Sequence, residues 1–470
     1  MFVKRFFEPL IAQNSYLIGC ASAHEAIVID PNRDVQPYLD TAEREGLRIT
    51  HVTETHIHAD FLSGSRELAH RTGARLCLSD EGGQDWKYQF DHDRKLKHGD
   101  RITIGNVKLD VLHTPGHTPE HLTFLVTDGA AADKPIAAVT GDFIFVGDVG
   151  RPDLLERAAK MAGTMEQGAK TLWHSLQAFA THPDWLQLWP GHGAGSSCGK
   201  GISAIPHSTL GYERLFNWAF IAKSEAEFVQ NVLTGQPEPP KYYATMKQMN
   251  KQGPQLLGDA VAPRHMNDSE LADLLTRHAL VIDTRPAAEF ARGHVPGTLN
   301  IPLNGSFVTW TGWLVPYTED FYVIVDDGPA ERVTELRRAL SLIGLDRVAG
   351  YFSHTAIRSA AAQGTTLGTI DQMTPDELRA ARDVTVIDVR HASEWQEGHL
   401  PSAIHIPLGH LAERIGEVPV DREVVVHCRG GSRSAIAASL LKKLGRCNVA
   451  NLAGGYEALV ANSGTVSDTV

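Results

Sequence analysis

Over the first half of the chain, short apolar runs alternate with polar segments rich in histidine or glycine. The pattern predicts strands at YLIGC, EAIVID, ITHVTE, ARLCLS, HLTFLV, IAAVTGD and WLQLWP. RITI and VKLDVL, separated by Gly105 and Asn106, predict a hairpin. The histidine-bearing segments follow strand ends, where loops held by a rigid sheet still face solvent and where open α/β sheets place their sites. In the second half the pattern repeats. VIDTRPAAEFARGHVPGTLNIPL begins at Val281 and VIDVRHASEWQEGHLPSAIHIPL at Val386, and Asp283/Asp388, His294/His399 and Pro302/Pro407 are each 105 positions apart. That spacing is the length of a small domain. Each copy continues with a second apolar strand (YVIV, EVVV) and an amphipathic helix (ERVTELRRALSLIG, SRSAIAASLLKKLG), which indicates parallel α/β units. Between the halves, VLTGQPEPPKYY and KQGPQLLGDAVAP are rich in Pro and Gly without strong periodicity, predicting a linker within residues 236–263.

A length of 470 residues suits about three domains, and the pattern divides them as 1–245, 264–360 and 370–465. Hydrophobic residues at 42% and charged residues at 21% describe a globular chain. The net charge of −12 argues against a nucleic-acid partner, which requires a dominant basic surface. Glu8 and Pro9 fall where a signal peptide would carry its apolar core, and no run approaches a membrane span, so a cytoplasmic protein without a membrane partner is expected. Five cysteines (Cys20, Cys77, Cys198, Cys428, Cys447), odd in number and without a C-x-x-C pair, form neither a disulfide framework nor a structural zinc site. Their interest lies in reactivity.

Four polar motifs follow predicted strands in the first region: THIHADF with His56, His58 and Asp60; HTPGHT with His117; TGD with Asp142; and PGHGAGS with His192. A single H-x-H is a weak signal, but four motifs in this order resemble the metallo-β-lactamase fold, an αββα sandwich whose metal ligands come from strand-end loops. Hydrolytic members usually carry H-x-H-x-D-H, and here the last position is Phe61. With Phe61 unable to ligate, Asp60 and His192 make a poor pair for a second ion, which favours a mononuclear site. GDVGRPDL, Gly147 to Leu154, is similar to the persulfide dioxygenase branch of the fold. That resemblance implies His56, His117 and Asp142 as ligands of a mononuclear Fe(II) with O₂ as co-substrate, the facial arrangement of two nitrogens and one carboxylate. It makes His58, Asp60 and His192 supporting groups, with direct ligation by His58 and His192 left open. Zinc competes for such a site, because the affinity order places it above Fe(II). His113 and His121 receive no role. Arg151, with Lys200 and Arg214, is a candidate receiver for the carboxylates of a thiol carrier, although isolated basic residues are more often solvated surface. Cys198, among small residues after His192 that would leave it accessible, is a candidate persulfide acceptor or redox sensor and Cys20 a weaker one, with the plain reading of a small loop or strand cysteine favoured for both.

In the second repeat, VVVHCRGGSRS runs from strand through Cys428 into a glycine-bearing loop and a helix. Cys428, Arg429, Gly430, Gly431, Ser432 and Arg433, together with the preceding D-x-R…E-x-x-x-G-H-x-P signature, resemble the active-site loop of the rhodanese family. Glycines let backbone N–H groups curl around the sulfur, while the helix N-terminus and Arg433 add positive potential where an anionic sulfur donor would sit. Cys428 is then a covalent sulfur carrier. In the first repeat the cysteine's place falls at Asp326 or Asp327, and DDGPAER lacks the loop, so residues 264–360 are expected to be inactive and to orient their neighbours. The leading expectation is oxidation of a small-molecule persulfide to sulfite and thiol, coupled to interconversion of sulfite plus persulfide with thiosulfate. A glyoxalase II-type thioester hydrolase fused to a rhodanese is the alternative, and a sulfur-binding or partner-docking module is a third. Oligomeric state, a homo-oligomer included, stays open.

Overall fold

The computed structural model describes residues 1–157, 163–259, 262–326 and 329–461. These divide into two compact units, Met1–Ala260 with Ser341–Gly344, and Val261–Leu340 with Leu345–Val470.

In the first unit, two six-stranded sheets stack face to face. One runs Phe2–Glu8, Gln13–Cys20, Glu25–Ile29, Arg48–Thr53, Arg75–Ser79, Arg94–Leu96; the other runs Ser208–Thr209, Gln187–Pro190, Ala137–Gly141, Leu122–Asp128, Val107–His113, Arg101–Ile104. Ile18, Ile27 and Ile29 from one sheet share a core with Leu109, Val111 and Phe124 from the other. The outer face of each sheet is covered by helices, Val35, Tyr38 and Leu68 on one side and Leu172, Leu176 and Phe228 on the other. Gln13–Cys20 is buried at every position because both of its faces are packed, which explains its continuous apolar run. The predicted strands are present. Three were missed: Phe2–Glu8, Arg94–Leu96 and Ser208–Thr209, an edge-forming segment and two pieces too short to carry a period-2 signal. The segment read as a linker contains an α-helix, Tyr242–Gln252, whose buried Tyr242, Tyr243, Met246 and Asn250 belong to the first unit. Pro and Gly at both ends masked a short helix between them.

The second unit holds two five-stranded parallel sheets of identical order: Arg264–His265, Val348–Ser353, Phe321–Val325, Leu280–Asp283, Leu299–Asn300, and then Asp371–Met373, Val449–Leu452, Glu423–His427, Val384–Asp388, Ile404–His405. The repeated Asp-x-Arg is a structural clip. Arg285 donates to Asp283 at 3.0 and 2.7 Å and to the Gly293 carbonyl at 3.1 Å; Arg390 repeats this with Asp388 and the Gly398 carbonyl. Strand register corrects the expected counterpart of Cys428. Asp283 pairs with Ile324 and Asp388 with His427, so the residue after each is Val325 in one repeat and Cys428 in the other. Asp326 stands one position further on, and Asp327 lies outside the described residues. A buried apolar side chain therefore fills the sulfur's place. Val325→Cys alone should give no sulfur transfer in full-length protein that also carries Cys428→Ser, because the loop after it supplies no Gly-Gly-Ser-Arg; turnover of a persulfide donor by that double variant would contradict this.

Candidate functional site

Strand ends of the first unit bring the histidine motifs together. His56, His117 and Asp142 place one ligand atom each within 4.8 Å of one another, all buried, and Asp60, His192 and Cys198 form a second such group. His117 Nε2 lies 3.6 Å from Asp142 Oδ2, while His192 Nε2 lies 3.4 Å from Asp142 Oδ1 and 3.2 Å from Asp60 Oδ2. His56 Nε2, His192 Nε2, Asp60 Oδ2 and both Asp142 oxygens are buried without a hydrogen-bond partner among the described residues. Lone pairs and carboxylate oxygens turned inward on one another, with no donor between them, are the donor set of a cation.

Neighbours fix which nitrogen faces inward. Thr55 Oγ1 donates its one proton to Asp30 at 2.9 Å, so the contact with His56 Nδ1 at 3.0 Å makes that nitrogen the donor. His117 Nδ1–H donates to the Arg151 carbonyl and His192 Nδ1–H to the Ala12 carbonyl, each at 3.0 Å. Burial holds the pKa of His56 and His117 down, so their Nε2 atoms carry lone pairs toward the centre, whereas His192 Nε2 faces Asp142 and Asp60, which outweigh burial and raise its pKa. His58 is held differently: burial lowers its pKa, but Asp30, 3.1 Å from its Nε2, with Asp60 and Glu54, outweighs burial and raises it to about 9. His58 clamps Asp30, which in turn holds Thr55, and the Phe61 ring packs on His58 at 4.3 Å.

Several readings change. Arg151 is not a surface receiver of substrate carboxylates. It is fully buried, pairs with Asp153 at 2.8 and 2.7 Å, and donates to the Ser197 carbonyl. It therefore ties the His117 loop to the Cys198 loop. Lys200 and Arg214 are likewise engaged, by the Asn231 and Thr234 carbonyls and by Asp184. Cys198 is buried rather than accessible, and burial pushes its thiol up to about 12. Small residues around it pack the loop instead of opening it, because Asp148 collects the Lys200 and Gly201 N–H groups. Asp60 and His192 are not left as a poor pair, since Cys198 joins them. Cys20 is buried and accepts the Asn106 N–H in the hairpin turn. His121 was passed over, yet its Nε2 accepts the Asp142 N–H at 3.2 Å, setting the carboxylate's backbone. Asn250 was missed as well; it donates to the His58 and Phe61 carbonyls at 2.8 Å. Its signal was the helical spacing from Tyr242 through Met246 to Asn250.

Gly150 has no room for a side chain: a Cβ there would meet the Asp142 carbonyl and the His117 Cβ. Replacing Arg151 by Met should cost about 3–5 kcal/mol, because buried Asp153 loses its countercharge. It should also weaken metal affinity about 10–100-fold through the His117 and Cys198 loops. Thermal unfolding and metal titration read the two effects, and a variant matching wild type in both would remove Arg151 from this role.

In the second unit, Cys428 sits after Glu423–His427, its Sγ accepting the Gly431 N–H at 3.1 Å and the Ser434 hydroxyl at 3.5 Å. Gly431 has φ +103°, a conformation that a side chain would strain. The helix Ser432–Lys443 follows, and its buried Ser439 accepts the Asn300 N–H from the first repeat at 3.1 Å, so that repeat braces the helix behind the cysteine. Arg433 pairs with Glu394 at 2.6 and 2.8 Å, and Arg429 with Glu457 at 2.7 Å. Burial opposes ionisation of Glu394, but Arg433 holds its carboxyl at about 2 against an ordinary 4.5. Stability from this pair is fully present above pH 4.5 and is lost as pH falls through 2. In a pH titration the loop should keep the pair through the neutral and mildly acid range, and pair loss above pH 5 would contradict the assignment.

Residues 9–192 match the metallo-beta-lactamase superfamily, and residues 267–353 and 374–462 match the rhodanese-like domain. The mitochondrial persulfide dioxygenase of Homo sapiens is 31% identical over 194 residues, 40% of this chain and 67% of that protein. A hydroxyacylglutathione hydrolase of Rhodospirillum rubrum is 30% identical over 178 residues, 38% of this chain and 60% of that protein. Among solved structures, a metallo-beta-lactamase from Staphylococcus aureus subsp. aureus COL is 44% identical with a TM-score of 0.69, covering 75% of this chain and 99% of its own. No helix among the described residues is long and apolar enough to cross a membrane.

Proposed function

We propose, from the premise that this chain belongs to the metallo-beta-lactamase superfamily and carries two rhodanese-like domains, that it is a persulfide dioxygenase joined to a sulfurtransferase. The observation that carries this reading is the buried His56/His117/Asp142 group, in which His56 Nε2 and both Asp142 oxygens lack a hydrogen-bond partner among the described residues. Two imidazole nitrogens and one carboxylate suit a single Fe(II) and leave coordination positions open. Bound there, ferrous iron supplies the O₂ chemistry that no side chain possesses.

The chain's own residues prepare the site. Thr55 and the Arg151 carbonyl fix the tautomers of His56 and His117, His121 orients Asp142, and His58 locks Asp30 behind Thr55. Phe61, fully buried, keeps that side of the loop dry. The net reaction takes a persulfide, O₂ and water to sulfite, free thiol and two protons. At the second site, the Cys428 sulfur attacks the outer sulfur of another persulfide, the S–S bond breaks, and the thiol leaves with the bonding pair. The Cys428 persulfide then passes that sulfur to sulfite, giving thiosulfate and regenerating the cysteine. Carrying both sites on one chain raises the local concentration of the shared product to roughly millimolar.

Asp60, His192 and Cys198 also favour a second reading, a two-metal thioester hydrolase, through their own cluster of ligand atoms. Metal analysis after anaerobic iron loading, with an oxygen electrode and a low-molecular-weight persulfide, separates the two. The leading reading expects one iron per chain and equimolar uptake of O₂. Two metals, thioester cleavage and no O₂ uptake would replace it.

A further inference from the structure

Beside the Cys428 loop lies a cavity of about 510 Å³, whose walls include Arg390, Glu394, Glu397, Arg429, Tyr456 and Glu457. Its guanidinium groups are already matched. Arg390 is held by Asp388 and the Gly398 carbonyl and lies over the Tyr456 ring at 4.1 Å. Arg429 is taken by Glu457, and Arg433, next to the Cys428 side chain, by both oxygens of Glu394. Glu397 adds an exposed carboxylate within the field of Arg429. The carboxylates of Asp388, Glu394, Glu397 and Glu457 therefore exceed the three guanidinium groups by one. Besides Arg433, whose charge Glu394 already matches, what remains to receive a negative sulfur at Cys428 is the Gly431 N–H and the Ser434 hydroxyl, short-range neutral donors deep in the loop.

We propose that Cys428 is loaded by a low-molecular-weight persulfide bearing an ammonium group near its sulfur, in preference to the thiosulfate dianion. The proposal rests on the sulfur-carrying reading of Cys428 and goes beyond it by naming the donor class. A dianion entering the cavity meets Glu397 and Glu457 before it meets an unpaired positive charge, whereas an ammonium tail gains both carboxylates while its outer sulfur reaches Cys428. The cysteine sulfur attacks that outer sulfur, the donor's S–S bond breaks, and the aminothiol leaves with the electron pair. Loading from thiosulfate and delivery to sulfite are one step in two directions, so the same rim makes delivery to sulfite the slower half of the cycle.

The test uses the full-length protein and follows the gain of one sulfur on the Cys428 peptide by mass spectrometry, with cysteamine persulfide, 3-mercaptopropionate persulfide and thiosulfate as donors. Cysteamine persulfide should load faster than its anionic counterpart by about fivefold at low salt, with the gap closing as salt screens the rim. Glu397→Gln should narrow the gap, and Glu457→Gln, by releasing Arg429, should narrow it further and speed loading from thiosulfate. Equal loading by the cationic and anionic persulfides, or a preference unchanged by salt and by both substitutions, overturns the proposal. Failure of every donor to load Cys428 overturns the sulfurtransferase reading itself.

Discussion

Asp142→Asn is expected to abolish iron binding at micromolar metal and, with it, O₂ uptake, while leaving the fold and the sulfurtransferase half intact. Asparagine matches aspartate in shape, and the Asp142 backbone N–H still meets His121, so the strand end Ala137–Gly141 is undisturbed. What disappears is the negative charge facing His117 at 3.6 Å and His192 at 3.4 Å. A cation held by two neutral imidazoles alone loses most of its electrostatic attraction in a buried site, and affinity should fall by at least about a hundredfold. Iron content and O₂ traces read the loss, circular dichroism verifies the fold, and Cys428 loading serves as the internal control. Iron binding retained at wild-type affinity would remove Asp142 from the ligand set.

Cys428→Ser should have the complementary effect. Serine keeps the size of the side chain and accepts the Gly431 N–H, so the loop between Glu423–His427 and Ser432–Lys443 should persist. A hydroxyl without an adjacent base cannot carry sulfane sulfur, and transfer should drop by at least about a thousandfold. O₂ uptake should be unchanged, and sulfite should accumulate where wild type yields thiosulfate. Thiosulfate formation at the wild-type rate by this variant would place the transfer elsewhere. The two variants together ask whether the chemistries are separable on one chain.

How far the sequence could be read depended on the range over which each residue's role is determined. The αββα sandwich and the duplicated α/β units were legible because apolar runs and a 105-residue repeat are local patterns, and the ligand motifs were legible because each follows a strand. Roles set by distant partners were not. Arg151 reads as a free cation until Asp153 and Ser197 close on it, and Cys198 reads as accessible until Asp148 gathers its loop. Val325 replaces Cys428 by strand register, whereas placing the cysteine after the apolar run YVIV put its counterpart one or two residues too late, at Asp326 or Asp327. Likewise, the positive potential read for Arg433 could not anticipate Glu394, which lies far along the chain.

The central claim, that this site uses O₂ on a persulfide rather than water on a thioester, is tested most directly by isotopic labelling. Iron-loaded Cys428→Ser protein is supplied with a low-molecular-weight persulfide under isotopically labelled O₂, and the sulfite formed is trapped at once and weighed by mass spectrometry. The account predicts sulfite carrying both atoms of the labelled O₂, with the third oxygen from water. Unlabelled product, or no sulfite while a glutathione thioester is cleaved at the same site, would contradict it.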